Sequence, residues 1–505
     1  MRDGCHNNFS CFYSSHVHYV WYPKIMSNVG TGRRLVISAL VYLMLASPAM
    51  KPISDPDIWW HLRTGQWILE HGQLPTQDPF ATFSAGKTWV PYSWLFDVLI
   101  YNLYLYWSLS GLLAFRVAMA LCIAFAVSAL VRRFQMSFPM ETVLLAVIFL
   151  TMAPLMTPRS WLFSIFFFAV ELNMISCVRR SGNVHALLFL PPIFALWANL
   201  HIQFVYGLAV LVLFVAEAVW NSRRSRLQHH DLPSMRVGYL VLIAIACAFA
   251  IFVTPYHFRI LLPLLQVISE TGVYQTIREL QPMHFRSVSD WAVLSLAIAA
   301  TYILGWQRNR VSFPMMFLLM AAFLGFRSQR DTWVLVFASA LIISEHPLLV
   351  MSANSLKRTT WETLMVGVAI AISLYFLAQY RQISEPSLEA VVGRYFPAEA
   401  VRFIRANRYP GPLFNSLDWG GYLMWSLPNM LVAVDGRTNL HNDARLTRLF
   451  GTWQGYPGWQ SDPELTQARL IVADLERPLT SLLRLDRRFR LVHEDSTAAV
   501  FVARE

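Results

Sequence analysis

Asp55-Pro56-Asp57-Ile58-Trp59-Trp60-His61-Leu62-Arg63 follows an apolar run at residues 35–50. Such a run is long enough to cross most of the ~30 Å of hydrocarbon in a bilayer at ~1.5 Å per residue. Two carboxylates, an imidazole and a guanidinium therefore stand at a membrane boundary. Charges there are costly to desolvate, so they face water, one another or a ligand. The spacing predicts a helix over 57–71: Trp60, Trp67, Ile68 and His71 recur at helical intervals, and Gly72 is a suitable stop. A purely structural reading is also open, in which the tryptophans anchor the interface and Asp55 or Asp57 caps the helix.

Outward from this stretch, the 505-residue chain is 56% apolar and 14% charged, against about 25% charged in a soluble domain. That little charge does not cover a water-soluble surface. Apolar runs lie near 35–50, 112–131, 139–156, 161–178, 185–200, 203–220, 236–253, 289–306, 312–327, 331–346 and 361–379. They predict an all-α polytopic membrane body of about eleven spans. Basic residues in short loops stay cytoplasmic. Six basic clusters, at Arg33-Arg34, Arg132-Arg133, Arg179-Arg180, Arg223 to Arg236, Arg308 with Arg310, and Lys357-Arg358, fall on one side if eleven runs cross. The short run 94–107, which contains Asp97 and Asn102, then lies on the outer surface as a juxtamembrane helix. The N-terminus is expected inside and the C-terminus outside an inner (plasma) membrane.

Residues 1–34 are polar, rich in His and Asn and unpatterned, and read as a disordered extension. Met26 is an alternative start, and Ser47-Pro48-Ala49 is a weak cleavage site if the first span is a signal peptide. Residues 35–384 form the expected membrane domain. Residues 385–505 carry 14 basic and 14 acidic side chains, whereas residues 1–384 hold the whole excess of +11. The tail is therefore expected to be a small extracytoplasmic α/β domain, with helix at 398–406 and strands at 412–415, 430–434, 470–473 and 498–502. The basic excess sits in the membrane body, where topology and anionic lipid account for it, which argues against a nucleic-acid partner. The five cysteines form no CxxC, so neither a disulfide framework nor a zinc site is indicated.

Each predicted outer turn brings a polar group to one face: Pro158-Arg159-Ser160, Trp197-Ala198-Asn199-Leu200-His201, Tyr256-His257-Phe258-Arg259 and Arg327-Ser328-Gln329-Arg330-Asp331. Arginine offers a forked donor to phosphate, although any single one also fits interfacial snorkelling. In the tail, Asp418-Trp419-Gly420-Gly421-Tyr422 and Asp435-Gly436-Arg437 stand out, with no phosphate-loop pattern around the glycines. They read either as a lid or acceptor surface, or as turns around a buried Asp435–Arg437 network.

With an acidic pair after the first span, two juxtamembrane helices and an outer C-terminal domain, the chain resembles the GT-C superfamily of integral-membrane glycosyltransferases. Within it, the chain is similar to a poorly characterised bacterial group through Asp57-Ile58-Trp59-Trp60-His61-Leu62 with Gly65, Leu74-Pro75-Thr76-Gln77-Asp78-Pro79-Phe80, Trp197 to His201, Asp418 to Leu423, and Val434 to Arg437. The resemblance covers roughly residues 35–460. Related sequences often carry an acidic residue where this chain has Ser93, which puts one ligand or base in doubt.

The resemblance implies an inverting transfer of a sugar from a polyprenyl-phosphate-linked donor to an acceptor outside the membrane. A carboxylate takes the proton of the attacking hydroxyl, and cations stabilise the departing phosphate. Asp55 and Asp57 are the candidate catalytic residues, with Asp57 preferred. Arg63, Arg159, Arg259, Arg327 and Arg330 are the candidate phosphate ligands, and His61, His201 and His257 assist or orient. Hexosyl or pentosyl transfer fits this class, with donor lipid and membrane lipids as partners. The acceptor is unidentified, and a divalent cation is neither required nor excluded. The competing readings are a polymerase or ligase of lipid-linked glycans and a non-catalytic transporter. A transporter is expected to show internal repeats and mid-membrane charges, whereas here no repeat is seen and the polar groups cluster at span ends.

Overall fold

A computed structural model describes residues 31–134, 136–227, 234–269, 277–306, 312–346 and 360–504. Residues 1–30, with Met26, Cys5 and Cys11, lie outside them, as do the basic clusters at 308–310 and 357–358. Every apolar run named above is helical. Among the described residues six helices are long and apolar enough to cross a membrane: 94–132, 138–155, 161–181, 204–223, 288–306 and 361–380. Helical stretches 184–200, 237–250 and 313–327 are apolar but shorter. The first helix, α1 (Thr31–Ala49), begins within the stretch expected to be unstructured.

The next helix, α2 (Asp57–His71), ends as its sequence predicts, with Gly72 at φ 64° and its N–H donated to the Ile68 carbonyl. It packs on α3 (Trp94–Arg132), which breaks at Ser108, where φ is 51° and ψ −141°. The break separates the short polar run from the apolar span that follows. The second half of α3 begins under a carboxylate from far along the chain, because Glu385 accepts from the Leu109 and Ser110 backbone N–H groups at 2.7 and 3.1 Å. Gly65 lets α2 and α3 touch, since a Cβ there would lie 2.1 Å from the Asp97 carbonyl oxygen. Arg116, buried in α3, ties three segments together by donating to the carbonyls of Lys51 (2.6 Å) and Met156 (2.9 Å).

The C-terminal layer has four strands in the order β1-β2-β4-β3: β1 (Leu413–Asn415), β2 (Leu470–Asp474), β3 (Phe489–Glu494) and β4 (Ala498–Ala503). Only β1 and β2 run parallel. Two strand expectations are corrected. Residues 430–434 join no ladder: Val432 bonds to Phe80 and Thr82 of the first loop, and the Asn415 side chain satisfies Ala433 N–H and the Val434 carbonyl at 2.8 Å each. Phe489–Glu494, not expected from the sequence, is an edge strand, and its charged residues lie on the solvated side where alternation with apolar residues is weak.

The layer sits directly on α2. Trp59 meets Phe396 and Tyr422 edge-on at 5.5 and 5.1 Å. Arg437, 2% exposed, donates to Asp435 (2.8 and 2.7 Å) and to Asp78 of the first loop (2.8 Å), with its guanidinium 4.5 Å from the Trp89 ring centre. Removing one member of such a cluster strands buried charge. Arg437→Ala is therefore expected to cost about 3–5 kcal/mol, read as a fall in melting temperature in detergent. Arg402→Ala, which loses only an exposed pair with Glu399, is expected to change stability by less than ~1 kcal/mol.

Candidate active site

The Asp55-Pro56-Asp57 turn closes on itself before it meets anything else, because Asp55 Oδ1 accepts the Asp57 N–H at 3.0 Å. The cap position of the helix falls instead on Pro56, which no side chain caps, and the turn leaves Oδ2 and the whole Asp57 side chain facing the loop between the helices Phe138–Met152 and Trp161–Ser181. Arg159 emerges there. Its Nε donates to Asp55 Oδ2 at 2.6 Å, and its Nη1 lies 2.8 Å from Asp57 Oδ2 and 2.9 Å from Glu279 Oε1. Arg330, on the turn between two later helices, reaches the same Glu279 at 3.8 Å. Both guanidiniums pack over Trp161, at 4.7 and 4.8 Å from its ring centre. The turns carrying Glu279 and Arg330 are joined by the Gln329 N–H donating to the Gln281 carbonyl at 3.0 Å.

Asp57, Arg159, Glu279 and Arg330 line a cavity of about 710 Å³. Its opposite wall comes from the C-terminal layer, through Gly436, Thr438 and Asn439. Burial pushes the Asp57 carboxyl up to about 7; Asp55 and Glu279 add to the rise, while Arg159 and Arg330 oppose it. A carboxylate that changes charge near neutrality is suited to accept a proton in a reaction at that pH. Burial, then the charges of Arg159, His201 and Arg330, hold His61 well below the ordinary imidazole value.

The predicted residues fall into two groups. Asp57, Arg159 and Arg330 line the cavity, and Asp55 stands behind Arg159. His61, one helical turn past Asp57, is buried and shares a 2.5 Å hydrogen bond with Asp97 through Nδ1. His201 is buried too, with Nδ1 2.7 Å from the Ser164 hydroxyl. Arg63 is on another face of α2, where it donates to Gln66 at 2.9 Å. His257 and Arg259 are exposed outside the cavity, and Arg327 packs over Phe323 at 5.8 Å from the ring centre.

Two acidic residues escape the sequence reading. Glu279 is a lone carboxylate in a long loop with no periodic signal. Asp97 does carry a signal, as an acid interrupting an apolar run. It lies one turn after Ser93, whose hydroxyl donates to it at 3.2 Å. Among the described residues no group of three His, Cys, Asp or Glu side chains is arranged for a metal ion; Asp55, Asp57 and Glu279 converge on a guanidinium.

Neither a protein-family model nor a curated protein sequence matches the chain. Among solved structures it is similar to the apo oligosaccharyltransferase of Archaeoglobus fulgidus, at 13% identity over 89% of this chain and 70% of that one, with a TM-score of 0.51. Two weaker likenesses are to the same protein in complex with Zn and sulfate (12% identity, 88% and 68% covered, TM-score 0.45) and to ArnT from Cupriavidus metallidurans bound to undecaprenyl phosphate (14%, 92% and 97%, 0.41). The chain thus shares its fold with the Archaeoglobus fulgidus oligosaccharyltransferase over most of its length.

Proposed function

We propose that the chain is a glycosyltransferase that moves a sugar from a polyprenyl-phosphate-linked donor to a hydroxyl of an acceptor outside the membrane. The observation that carries this reading is the meeting of Asp57 with Arg159 and Arg330 in one cavity. Fold alone does not assign chemistry, but these side chains supply what the transfer needs.

Asp57 takes the proton of the acceptor hydroxyl as its oxygen bonds to the anomeric carbon. The bond from that carbon to the phosphate oxygen breaks, and the electron pair leaves with the lipid phosphate. The new bond forms on the opposite face, so configuration inverts. Arg159 is committed to three carboxylates and serves chiefly to orient Asp57. Arg330, whose one ion pair among the described residues is the 3.8 Å contact to Glu279 and which otherwise packs over Trp161, is the guanidinium best placed to receive the phosphate. His61 and Asp97 support α2 from beneath. The same reading takes residues 35–384 as a body of eleven crossings and residues 385–505 as an extracytoplasmic domain, in an inner membrane.

Three outcomes test it. Asp57→Asn keeps the side chain's size while removing the proton acceptor and one of the three charges on Arg159, so transfer is expected to fall by about 10²–10⁴ in protein that still folds; near-normal transfer removes Asp57 as base. The base acts only when ionised, so kcat/KM is expected to climb with pH through about 7 and level off above it. A rate already flat from pH 5 contradicts this. A phosphatase reporter fused after Glu505 is expected to be active, and a cytoplasm-only reporter at that position inactive; the reverse overturns the orientation.

A further inference from the structure

The glycine motifs of the C-terminal layer have no part in the chemistry above, yet they sit against the candidate base. A Cβ built on Gly436 would lie 2.0 Å from Asp57 Oδ1 and 3.4 Å from Trp60 Nε1. No side chain larger than hydrogen fits while Asp57 stays where it is. Gly420 and Gly421 explain how the turn comes so near. They lie on the helix Leu417–Ser426. A Cβ on Gly420 would lie 2.0 Å from the Val434 carbonyl oxygen and 2.6 Å from Asp435 Cα, and one on Gly421 would lie 2.8 Å from the Pro56 carbonyl oxygen. The Gly-Gly face thus meets the 434–435 backbone and the start of α2 at once. Arg437 then locks the turn to Asp435 and to Asp78 of the first loop.

We propose that the Asp435-Gly436-Arg437 turn, seated by Gly420 and Gly421, is a positioning element for Asp57. Arg159 fixes Oδ2 of that carboxylate, and Gly436 bounds Oδ1 on its other side and keeps water from it. The C-terminal layer thereby completes the site instead of only covering it. The inference rests on Asp57 as the base. The charged and titratable groups facing that carboxylate are Asp55, Glu279, Arg159 and Arg330, with Tyr92 on the same cavity wall.

The test is Gly436→Ala in the full-length protein, assayed for transfer across pH, beside Gly393→Ala as a control. Gly393 has nothing closer than 3.9 Å to an added Cβ, so its variant is expected to behave as wild type. Because the turn is locked, the added methyl displaces the carboxylate from Arg159. At least a ~10-fold loss of kcat is expected, bounded by the ~10²–10⁴ that a general base supplies. Donor KM is expected to stay within about threefold, since the turn acts on the base and not on the phosphate. The midpoint of the pH profile is expected to move to higher pH, a change that a merely structural role would not produce.

In the Asp57→Asn background the same substitution is expected to cost less than about twofold, because two residues acting through one group are not additive. Wild-type kcat and an unmoved midpoint for Gly436→Ala overturn the proposal. If instead Asp57→Asn itself transfers normally, the failure lies in the base assignment. Should Gly436→Ala not fold, Arg437→Lys keeps the charge but loses the forked grip on Asp435. It loosens the turn and admits water to Asp57, so its midpoint is expected to fall; an unmoved midpoint there counts equally against the proposal.

Discussion

One guanidinium holds the candidate site together. Arg159 is buried, and three carboxylates from two other segments of the chain close on it: Asp55, Asp57 and Glu279. A charge at a membrane boundary has little water to turn to, so each partner removed leaves the rest more costly to bury. The loop between α1 and α2, the turn before Trp161 and the loop carrying Glu279 are therefore constrained to one point. Arg330 joins through the same Glu279 and the shared face of Trp161. Burial is the main reason the Asp57 carboxyl is pushed up to about 7, and the charges of Asp55 and Glu279 add to the rise against the opposing pull of Arg159 and Arg330.

A second buried cluster repeats this logic in the C-terminal layer. Arg437 is shared between Asp435 of the C-terminal layer and Asp78 of the first loop, so the layer is pinned to the membrane body by charge as well as by Trp59, Phe396 and Tyr422. Asp435 illustrates the balance: burial alone would raise its carboxyl, but the Arg437 guanidinium overrides that and holds it below the usual range. The two clusters face each other across Gly436, and the cavity lies between them. The membrane body contributes the arginines, and the C-terminal layer contributes the opposite wall.

Much of this arrangement is legible in the amino-acid sequence. Hydropathy runs mark helices because a span must be apolar along its whole length, and helical spacing with a left-handed stop bounds α2 from Asp57 to Gly72. The Asp435–Arg437 network is readable there, whereas the expectation that Asp55 or Asp57 caps α2 is not met, since Pro56 holds the cap position and Asp55 turns to Arg159. What spacing cannot do is discriminate among like residues. Arg259 and Arg330 each stand near the start of an outer turn, but only Arg330 lines the cavity, and nothing local distinguishes them. Glu279 is invisible for the same reason, since a lone acid in a loop has no period. The run 430–434 reads as a strand by composition; its hydrogen bonds go instead to Asn415 and the first loop, a pairing set by tertiary contact.

Cleavage of a sugar–phosphate bond in the cavity is the most direct measurement of what this site does. Purified protein, supplied with a panel of polyprenyl-phosphate-linked sugars and a membrane extract as acceptor source, is assayed for release of free polyprenyl phosphate. One donor is expected to lose its sugar, with release falling at low pH as Asp57 is protonated. Folded protein that leaves every donor intact at every pH would contradict the glycosyltransferase reading.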